Sequence, residues 1–204
     1  MGLKEEIEGI IKSSIGNVGV AVENLSTGET IMINDKLVFP SASTIKLVVM
    51  SEILREVKAG EHSLGQKIKL TDDIKTGGDG ILKELNPGHE FTLKEIITLM
   101  IILSDNTAAN ILIDMAGMDR VNNMAVELGL KDTKLRRHMM DSEAVRMGRE
   151  NMTCAGDMHH LLKLIYQGRD IDEHYSGIML EILKRQQVVG RLNLYLPDDV
   201  IIAH

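Results

Sequence analysis

Ser43 and Lys46 stand three residues apart in the stretch Ser43-Thr44-Ile45-Lys46, which opens a strongly apolar run. On a helix, residues at this spacing project from one face, and a helix start brings backbone N–H groups and the positive end of the helix dipole near Ser43. A serine hydroxyl becomes nucleophilic when a neighbouring base accepts its proton. A lysine in apolar surroundings, with its pKa lowered from about 10.4, can be that base. A serine at a helix start is more often only a cap, so the pair alone also fits a structural role.

A second polar group, Ser104-Asp105-Asn106, lies in a break between two predicted helices. A hydroxyl and a carboxamide presented at such a break can pass a proton and hold a substrate amide. The carboxylate of Asp105, expected to be buried, can tie the break to neighbouring backbone. A plain Ser-Asp-Asn helix cap is the structural alternative. Ser-x-x-Lys followed by Ser-Asp-Asn, however, is the combination found in penicillin-interacting serine enzymes.

These motifs resemble those of class A β-lactamases. The stretch Phe39–Leu47 resembles the nucleophile helix of that family, and Leu103–Asn110 resembles its second motif with the following Thr-Ala-Ala-Asn. Between them, Gly78–Leu82 is similar to the Gly-Ser-Gly-Ile-Leu segment of the family. The similarity runs from about Val18 to the end of the sequence. It implies an α/β (α+β) fold in which an antiparallel sheet is flanked by terminal helices beside an all-helical lobe, with the active site at their junction.

The resemblance also implies a role for each motif residue. Ser43 would be the nucleophile that forms an acyl-enzyme, its backbone N–H would be one oxyanion-hole donor, and Lys46 would activate it. Ser104 would relay a proton to the leaving nitrogen, and Asn106 would hydrogen-bond the side-chain amide of the substrate. Asp105 would be structural.

The loop that carries the deacylating glutamate in the family departs from the family pattern here. Its expected place falls at His138–Met140, which contains no glutamate. Glu143 or Asp141 could substitute only if the loop backbone is repositioned. Otherwise both are solvated charges that pair with Arg137 or Arg146. We therefore expect an acyl-enzyme that persists, as in a penicillin-binding protein or a slow hydrolase.

The third family motif, Lys-Thr/Ser-Gly, belongs on a strand after the helical block. Lys75-Thr76-Gly77 has those letters but precedes Ser104, so the sequence gives it no role. The expected place directly follows Val200–His204, where the sequence ends. The second oxyanion donor and the C-terminal strands and helix are then expected to be absent from this chain. The missing C-terminal segment or a swapped copy of the chain becomes a possible partner.

Hydrophobic periodicity predicts the elements that position these residues. Thr92 and Glu95 form a predicted capping box at the start of one of the helices. The predicted elements are otherwise identified by the pattern of a whole segment. They are a helix over 3–15, a hairpin over 18–33, a helix from Ser43 to Val57, further helices near 92–103, 107–115, 119–128, 155–167 and 172–186, and a strand over 199–204. We predict a partial sheet lobe (1–44 and 187–204) and an all-helical lobe (45–186).

Composition limits the function classes. The 204 residues are 44% apolar and 26% charged, which excludes global disorder. The formal charge of -7 and the 2% aromatic content argue against nucleic acid and anionic membranes as partners. The sequence has no membrane span and no apolar segment of a signal peptide at its start. It therefore reads as cytoplasmic, or as secreted or periplasmic if a signal peptide was removed.

Metals and cofactors have no sequence support. His159 and His160 are adjacent, so their side chains point about 100° apart on a helix and do not form a ligand pair. The single cysteine, Cys154, is interpreted as a small packing residue, and Gly77–Gly80 does not connect a strand to a helix as a phosphate loop would.

The sequence therefore predicts a serine hydrolase of the class A β-lactamase type that acts on a β-lactam or a peptidoglycan-like substrate. A DD-peptidase or another serine hydrolase on the same fold is the alternative enzyme. A catalytically inactive penicillin-binding or scaffold homologue is the alternative outside catalysis.

Overall fold

The computed structural model describes residues 2–188, 196–197, 200 and 202–204 of the chain. Helices dominate, and two single 3₁₀ turns cover Ala42–Ile45 and Leu82–Glu84. The helices are α1 (Leu3–Ser13), α2 (Lys46–Ala59), α3 (Leu93–Ile102), α4 (Asn106–Ala116), α5 (Met118–Glu127), α6 (Ser142–Arg146), α7 (Ala155–Tyr166) and α8 (Glu173–Leu183). The strands are β1 (Val20–Glu23), β2 (Thr30–Ile33), β3 (Phe39–Pro40), β4 (Lys67–Lys69), β5 (Glu90–Thr92) and β6 (Met152–Thr153).

The predicted hairpin is confirmed. Strands β1 and β2 pair antiparallel, with Val20 opposite Ile33 and Glu23 opposite Thr30. Because apolar residues alternate along the strands, one face of this hairpin is turned toward the rest of the protein, and Ile31 is buried on that face. Helix α7 packs against β1, which joins the hairpin to the helical part of the chain.

Helix α2 is the centre of the core and carries Lys46 at its first position. Val48, Val49, Met50, Ile53 and Leu54 are fully buried. Helices α3, α4, α5 and α8 all contact α2, so its apolar residues have neighbours on every side, as expected for a helix with apolar residues around its circumference. Each buried aliphatic side chain of this kind contributes about 1.5–3 kcal/mol, so α2 is firmly anchored in the core.

The predicted opening helix exists as α1, but none of its residues is buried. Its apolar side chains, such as Leu3 and Ile10, are exposed. The amphipathic pattern therefore predicted the helix correctly. The described residues do not cover its apolar face.

The segment 45–186 is not purely helical, and this corrects the prediction. Strands β4 and β5 pair antiparallel within it, with Ile68 opposite Phe91, and β6 pairs with β3. Strands of two or three residues are too short to show a period of two, so the sequence pattern missed them. Of the strand predicted over 199–204, Asp199 and Ile201 lie outside the described residues, and the described ones do not form a strand.

No helix in the described ranges combines the length and the apolar character needed to cross a membrane. The compartment of the protein stays a prediction.

Candidate active site

Ser43 lies in the 3₁₀ turn that leads directly into α2. The turn is fixed at its start, where the backbone N–H of buried Ser41 donates to the carbonyl of Asn151 at 2.8 Å. No side chain caps either helix start here. Ser43 therefore does not cap a helix, because its hydroxyl forms a hydrogen bond with the side chain of Ser104.

Lys46 is buried, with 2% of its surface exposed. Its Nζ donates to the carbonyl oxygen of Ser104 at 2.5 Å, to Ser104 Oγ at 3.0 Å and to Asn106 Oδ1 at 2.9 Å. These bonds use all three donors of an ammonium group. Burial lowers the pKa of Lys46 to about 8, and the carboxylates of Asp105 and Asp79 oppose this change. A modest rise in pH thus produces the neutral amine that a general base requires.

Ser104 connects the lysine to the nucleophile. Its backbone adopts a φ of +52° in the break between α3 and α4, and its Oγ donates to Ser43 Oγ at 2.8 Å. No hydrogen bond joins Lys46 directly to Ser43 in the described chain. A proton can therefore move from Ser43 to Lys46 through one intervening hydroxyl, because a serine hydroxyl donates and accepts simultaneously.

The carboxylate of Asp105 accepts hydrogen bonds from backbone N–H groups, which is the contact expected from the sequence. Its Oδ1 accepts from the N–H of Ala108 at 2.9 Å and so caps α4. Its Oδ2 accepts from the N–H groups of Ile81 and Leu82 at 2.7 and 2.9 Å. One buried carboxylate thus fixes both the start of α4 and the segment that follows Gly80.

Asn106 lies at the first turn of α4 with 4% of its surface exposed. Besides Lys46, its side chain contacts the carbonyl of Gly77, to which Nδ2 donates at 3.1 Å. Two further bonds, from Thr76 N–H to Thr107 Oγ1 at 2.9 Å and from Thr107 Oγ1 to the Thr76 carbonyl at 3.2 Å, hold the same segment. Sequence reasoning gave Lys75-Thr76-Gly77 no role, whereas the structure uses it to support Asn106.

The loop from Arg137 to Glu150 is closed by an ion pair between these two residues, with Nε to Oε1 at 2.8 Å. Asn151 Oδ1 accepts from the backbone N–H of Arg137 at 3.0 Å. On the helix side, Asn110 holds Met139 twice, because its Oδ1 accepts from the Met139 N–H at 2.7 Å and its Nδ2 donates to the Met139 carbonyl at 3.2 Å.

The structure places Glu143 as the solvated charge of the two interpretations, and its catalytic role stays an untested prediction. Its side chain is exposed on α6 and does not line the cavity beside Ser43. Asp141 caps the same helix, where its Oδ1 accepts from Ala144 N–H at 2.8 Å. The loop backbone is already fixed at Met139, so neither carboxylate can be brought to the nucleophile without breaking this network. Arg137, expected to pair with one of them, pairs with Glu150 instead.

Ser43, Lys46 and Ser104 open onto one cavity of 530 Å³. Asp79 is the only side-chain carboxylate among the described lining residues, and the sequence pattern did not single it out. The wall also includes His204, whose ring is partly buried, so that its pKa is lowered. Lining residues beyond these are Ala42, Thr44, Leu47, Gly80, Met100, Ile101, Leu103, Leu183, Gln186 and Val188.

A second group of possible ligands lies away from this cavity. One donor atom each of Asp132, Cys154 and Asp157 lie within 4.8 Å of one another. Asp157 Oδ2 already accepts from Asp132 N–H and from Thr133 Oγ1, both at 2.8 Å. Burial raises the pKa of the Cys154 thiol, and its Sγ accepts from the N–H of Asp157 at 3.4 Å, so this buried side chain also caps the start of α7.

Comparison with known proteins agrees with this geometry. Residues 2–204 match the family described as "Beta-lactamase enzyme family". The β-lactamase VEB-1 of Pseudomonas aeruginosa is 26% identical over 98% of this chain and 69% of its own length. CARB-3 from the same organism is 26% identical over 93% of this chain and 66% of its own length. The chain thus spans about two thirds of the length of these curated relatives.

Solved structures show the same relationship. A β-lactamase from Sphaerobacter thermophilus is 33% identical, with a TM-score of 0.87 over 96% of this chain and 73% of its own. PBP-A is 28% identical, with a TM-score of 0.82 over 92% of this chain and 69% of its own, and a mutant of it was solved as an acyl-enzyme complex with penicillin G. The predicted fold is confirmed, and the chain belongs to the beta-lactamase enzyme family as a β-lactamase-like serine hydrolase.

Proposed function

We propose that this protein binds β-lactams in the 530 Å³ cavity and forms a covalent acyl-enzyme on Ser43. The observation that carries the proposal is the continuous hydrogen-bond path from Ser43 Oγ through Ser104 Oγ to Lys46 Nζ. Nucleophile, relay and base are thus connected before any ligand binds, and they face the same space. Such preorganisation removes an entropic cost from the chemical step.

In the acylation step, neutral Lys46 accepts a proton from Ser104 while Ser104 accepts the proton of Ser43. The Ser43 oxygen then forms a bond to the β-lactam carbonyl carbon, and the negative charge moves to the carbonyl oxygen. As the carbon–nitrogen bond of the ring breaks, the leaving nitrogen takes a proton back from Ser104, which is resupplied by Lys46. The N–H of Ser43 at the start of α2 is the donor for the oxyanion from this chain.

Deacylation is expected to be slow. Water attack on an ester needs a base on the far side of the acyl group, and the position where the family places it is held by Met139 and its neighbours. Among the lining residues that the structure describes, Asp79 is the only side-chain carboxylate. PBP-A, a structural relative of this chain, has been observed in the form of a mutant acylated by penicillin G.

Intact-mass measurement with penicillin G tests both steps. We expect the protein to gain the mass of one penicillin and to keep it for many minutes. Ser43→Ala should gain none, while its circular dichroism spectrum stays unchanged. Absence of an adduct on the wild-type protein would instead support a catalytically inactive homologue, and rapid loss of the adduct would contradict slow deacylation.

A peptidase is the second candidate function, and the missing loop carboxylate favours it. An enzyme that cannot hydrolyse its acyl-enzyme quickly with penicillin can still transfer or cleave a peptide with a D-Ala–D-Ala end. Release of D-alanine from a diacetylated tripeptide with that end, lost in Ser43→Ala, would establish this activity.

A further inference from the structure

Asp79 has no partner for its carboxylate among the described residues, although it lines the cavity that contains Ser43 and Ser104. Its side chain makes no hydrogen bond or ion pair there, and the residue is exposed. Asp105, the other acid close to Lys46, is fully used by backbone N–H groups. Asp79 is therefore the anionic group of this site that is available to a ligand.

The backbone of Asp79 is held firmly, so the point from which its side chain extends into the cavity is defined. Its carbonyl accepts from the N–H of Asn106 at 3.0 Å. The flanking Gly78 and Gly80 have φ values of +79° and +114°, a region that favours glycine. A Cβ at Gly78 would lie 2.5 Å from Asn106 Nδ2, and one at Gly80 would lie 2.3 Å from the Asp105 carboxylate. Asp79 is thus fixed directly beside the residue expected to hold the substrate side-chain amide.

The charge of Asp79 has a further consequence for binding. Two cations lie near Asp79. The three donors of Lys46 are occupied by Ser104 and Asn106, and Lys83 Nζ donates to the carbonyl of the preceding Gly78 at 2.6 Å and lies 3.5 Å from Glu84 Oε1. A ligand that fills the cavity removes water from the Asp79 carboxylate, and a buried unpaired charge is unfavourable. A ligand with its own ammonium group near this carboxylate avoids that cost and gains a charge-assisted hydrogen bond.

We propose that Asp79 makes the site selective for substrates that carry an ammonium group next to the side-chain amide. This inference rests on the proposed acylation of Ser43. It names the substrate class, since an amine on the carbon beside the amide carbonyl lies two bonds from the carbonyl carbon of the amide assigned to Asn106.

Two penicillins that differ only in this amine provide the test. Ampicillin has the amino group and penicillin G lacks it, so the ratio of their second-order acylation rates isolates the amine. Asp79 also raises the pKa of Lys46, but both penicillins use the same lysine, and that influence cancels in the ratio. We expect Asp79→Asn to reduce the ampicillin-to-penicillin G ratio about threefold to fivefold, the range of a partly solvated ion pair.

Asp73→Asn is the matched control. Asp73 is an exposed acid in the same irregular segment, does not line the cavity and makes no ion pair in the described chain, so its removal should leave the ratio unchanged. Asp79→Ser provides a second variant if the amide destabilises the loop. In the wild-type protein, the preference should also decline as pH rises past the pKa of an α-amino group, about 7.7–8.0.

The outcomes separate this inference from the proposed function. No adduct with either penicillin would overturn both. Adducts with both penicillins and a ratio that neither Asp79→Asn nor pH changes would leave acylation in place and overturn the role of Asp79.

Discussion

The hydroxyl oxygens of Ser104 and Ser43 lie 2.8 Å apart, in a hydrogen bond donated by Ser104. The same Ser104 oxygen accepts from Lys46 Nζ at 3.0 Å, and its own carbonyl accepts from that nitrogen at 2.5 Å. Ser104 therefore positions the lysine with its backbone and connects it to the nucleophile with its side chain. Removing the hydroxyl should separate these two functions.

We predict that Ser104→Ala slows acylation by penicillin G by about 10²–10⁴-fold, the usual contribution of a positioned acid–base group. The carbonyl of residue 104 would still hold Lys46, so thermal unfolding should change little. The rate of mass gain measures the first expectation and differential scanning fluorimetry the second. A variant that acylates at the wild-type rate would show that the proton reaches Lys46 by another route.

The pH dependence of acylation should follow Lys46. Its pKa is lowered to about 8, mainly by burial, so the neutral base becomes more abundant as pH rises. At pH 7 only about a tenth of the Lys46 side chains are neutral, and at pH 8 about half of them are. The acylation rate with penicillin G should therefore rise and level off above pH 8.

A matched arginine variant checks this assignment. Lys46→Arg keeps a positive charge but cannot lose its proton, so it should not acylate at any pH between 6 and 10. A rate that is flat across this range in the wild-type protein would exclude Lys46 as the base.

Gly80 should be far less tolerant of substitution than Gly77. A Cβ at Gly80 would meet the Asp105 carboxylate at 2.3 Å on a backbone with φ of +114°, whereas a Cβ at Gly77 has no neighbour within 4 Å. We expect Gly80→Ala to cost more than about 1 kcal/mol of unfolding free energy and to slow acylation, because Asp105 would shift the start of α4. Gly77→Ala should be close to neutral in both respects. Equal stabilities in urea unfolding would contradict the close approach.

The parts of this site that could be predicted are those determined within a few neighbouring residues. Ser43 and Lys46 share a helix turn, and Thr92 forms the predicted capping box with Glu95, whose backbone N–H donates to Thr92 Oγ1 at 3.1 Å. Asp105 could be expected to bind backbone, since an Asp before a helix has few other uses in a buried break. Each of these inferences required only local geometry.

The features of the site that local spacing in the sequence does not predict depend on long-range contacts. The pairs Arg137–Glu150 and Asn110–Met139 fix the backbone of the loop beside the site. From the sequence alone, Asp141 and Glu143 both remained as acids that a repositioned loop could bring to the nucleophile. The position of Ser104 between Lys46 and Ser43 is set by the packing of α4 against α2. No spacing in the sequence reveals this position, and only the family resemblance implied a role for Ser104.

Asp170 should make stability depend on pH. It is buried, and neither carboxylate oxygen has a well-formed hydrogen bond in the described chain. Burial raises its pKa from 3.8 to about 6, and the nearby Ser51 hydroxyl opposes this rise. A raised pKa means that the folded state binds the proton more tightly. This stabilisation is therefore complete below pH 3.8 and is lost as pH rises through about 6. A shift of about two units corresponds to about 3 kcal/mol as an upper value.

Asp170→Asn removes the charge and nearly keeps the shape. We expect the variant to be more stable than the wild-type protein at pH 8 by about 1–3 kcal/mol and similar to it near pH 4, as measured by urea unfolding. A variant that is less stable at pH 8 would show that the ionised carboxylate has a partner that stabilises it.

Met139 is the position at which a carboxylate should accelerate deacylation. Asn110 binds both its N–H and its carbonyl, and Asn110 lies one helical turn after Asn106, the partner of Lys46. Residue 139 is thus held over the face of α4 that supports the site. We expect Met139→Glu to shorten the lifetime of the penicillin G adduct by at least about tenfold, the lower end for a base whose position is not optimised.

The neighbouring residue supplies the control, because Met140 is 57% exposed while Met139 is 8% exposed. Met140→Glu adds the same charge to the same loop on a largely exposed side chain that lies against Gly78, and Glu143→Gln removes the exposed acid. Neither should change the adduct lifetime. A longer adduct lifetime in Glu143→Gln would mean that the loop rearranges after acylation despite the Arg137–Glu150 pair. The position suited to a deacylating base would then lie nearer α6 than Met139.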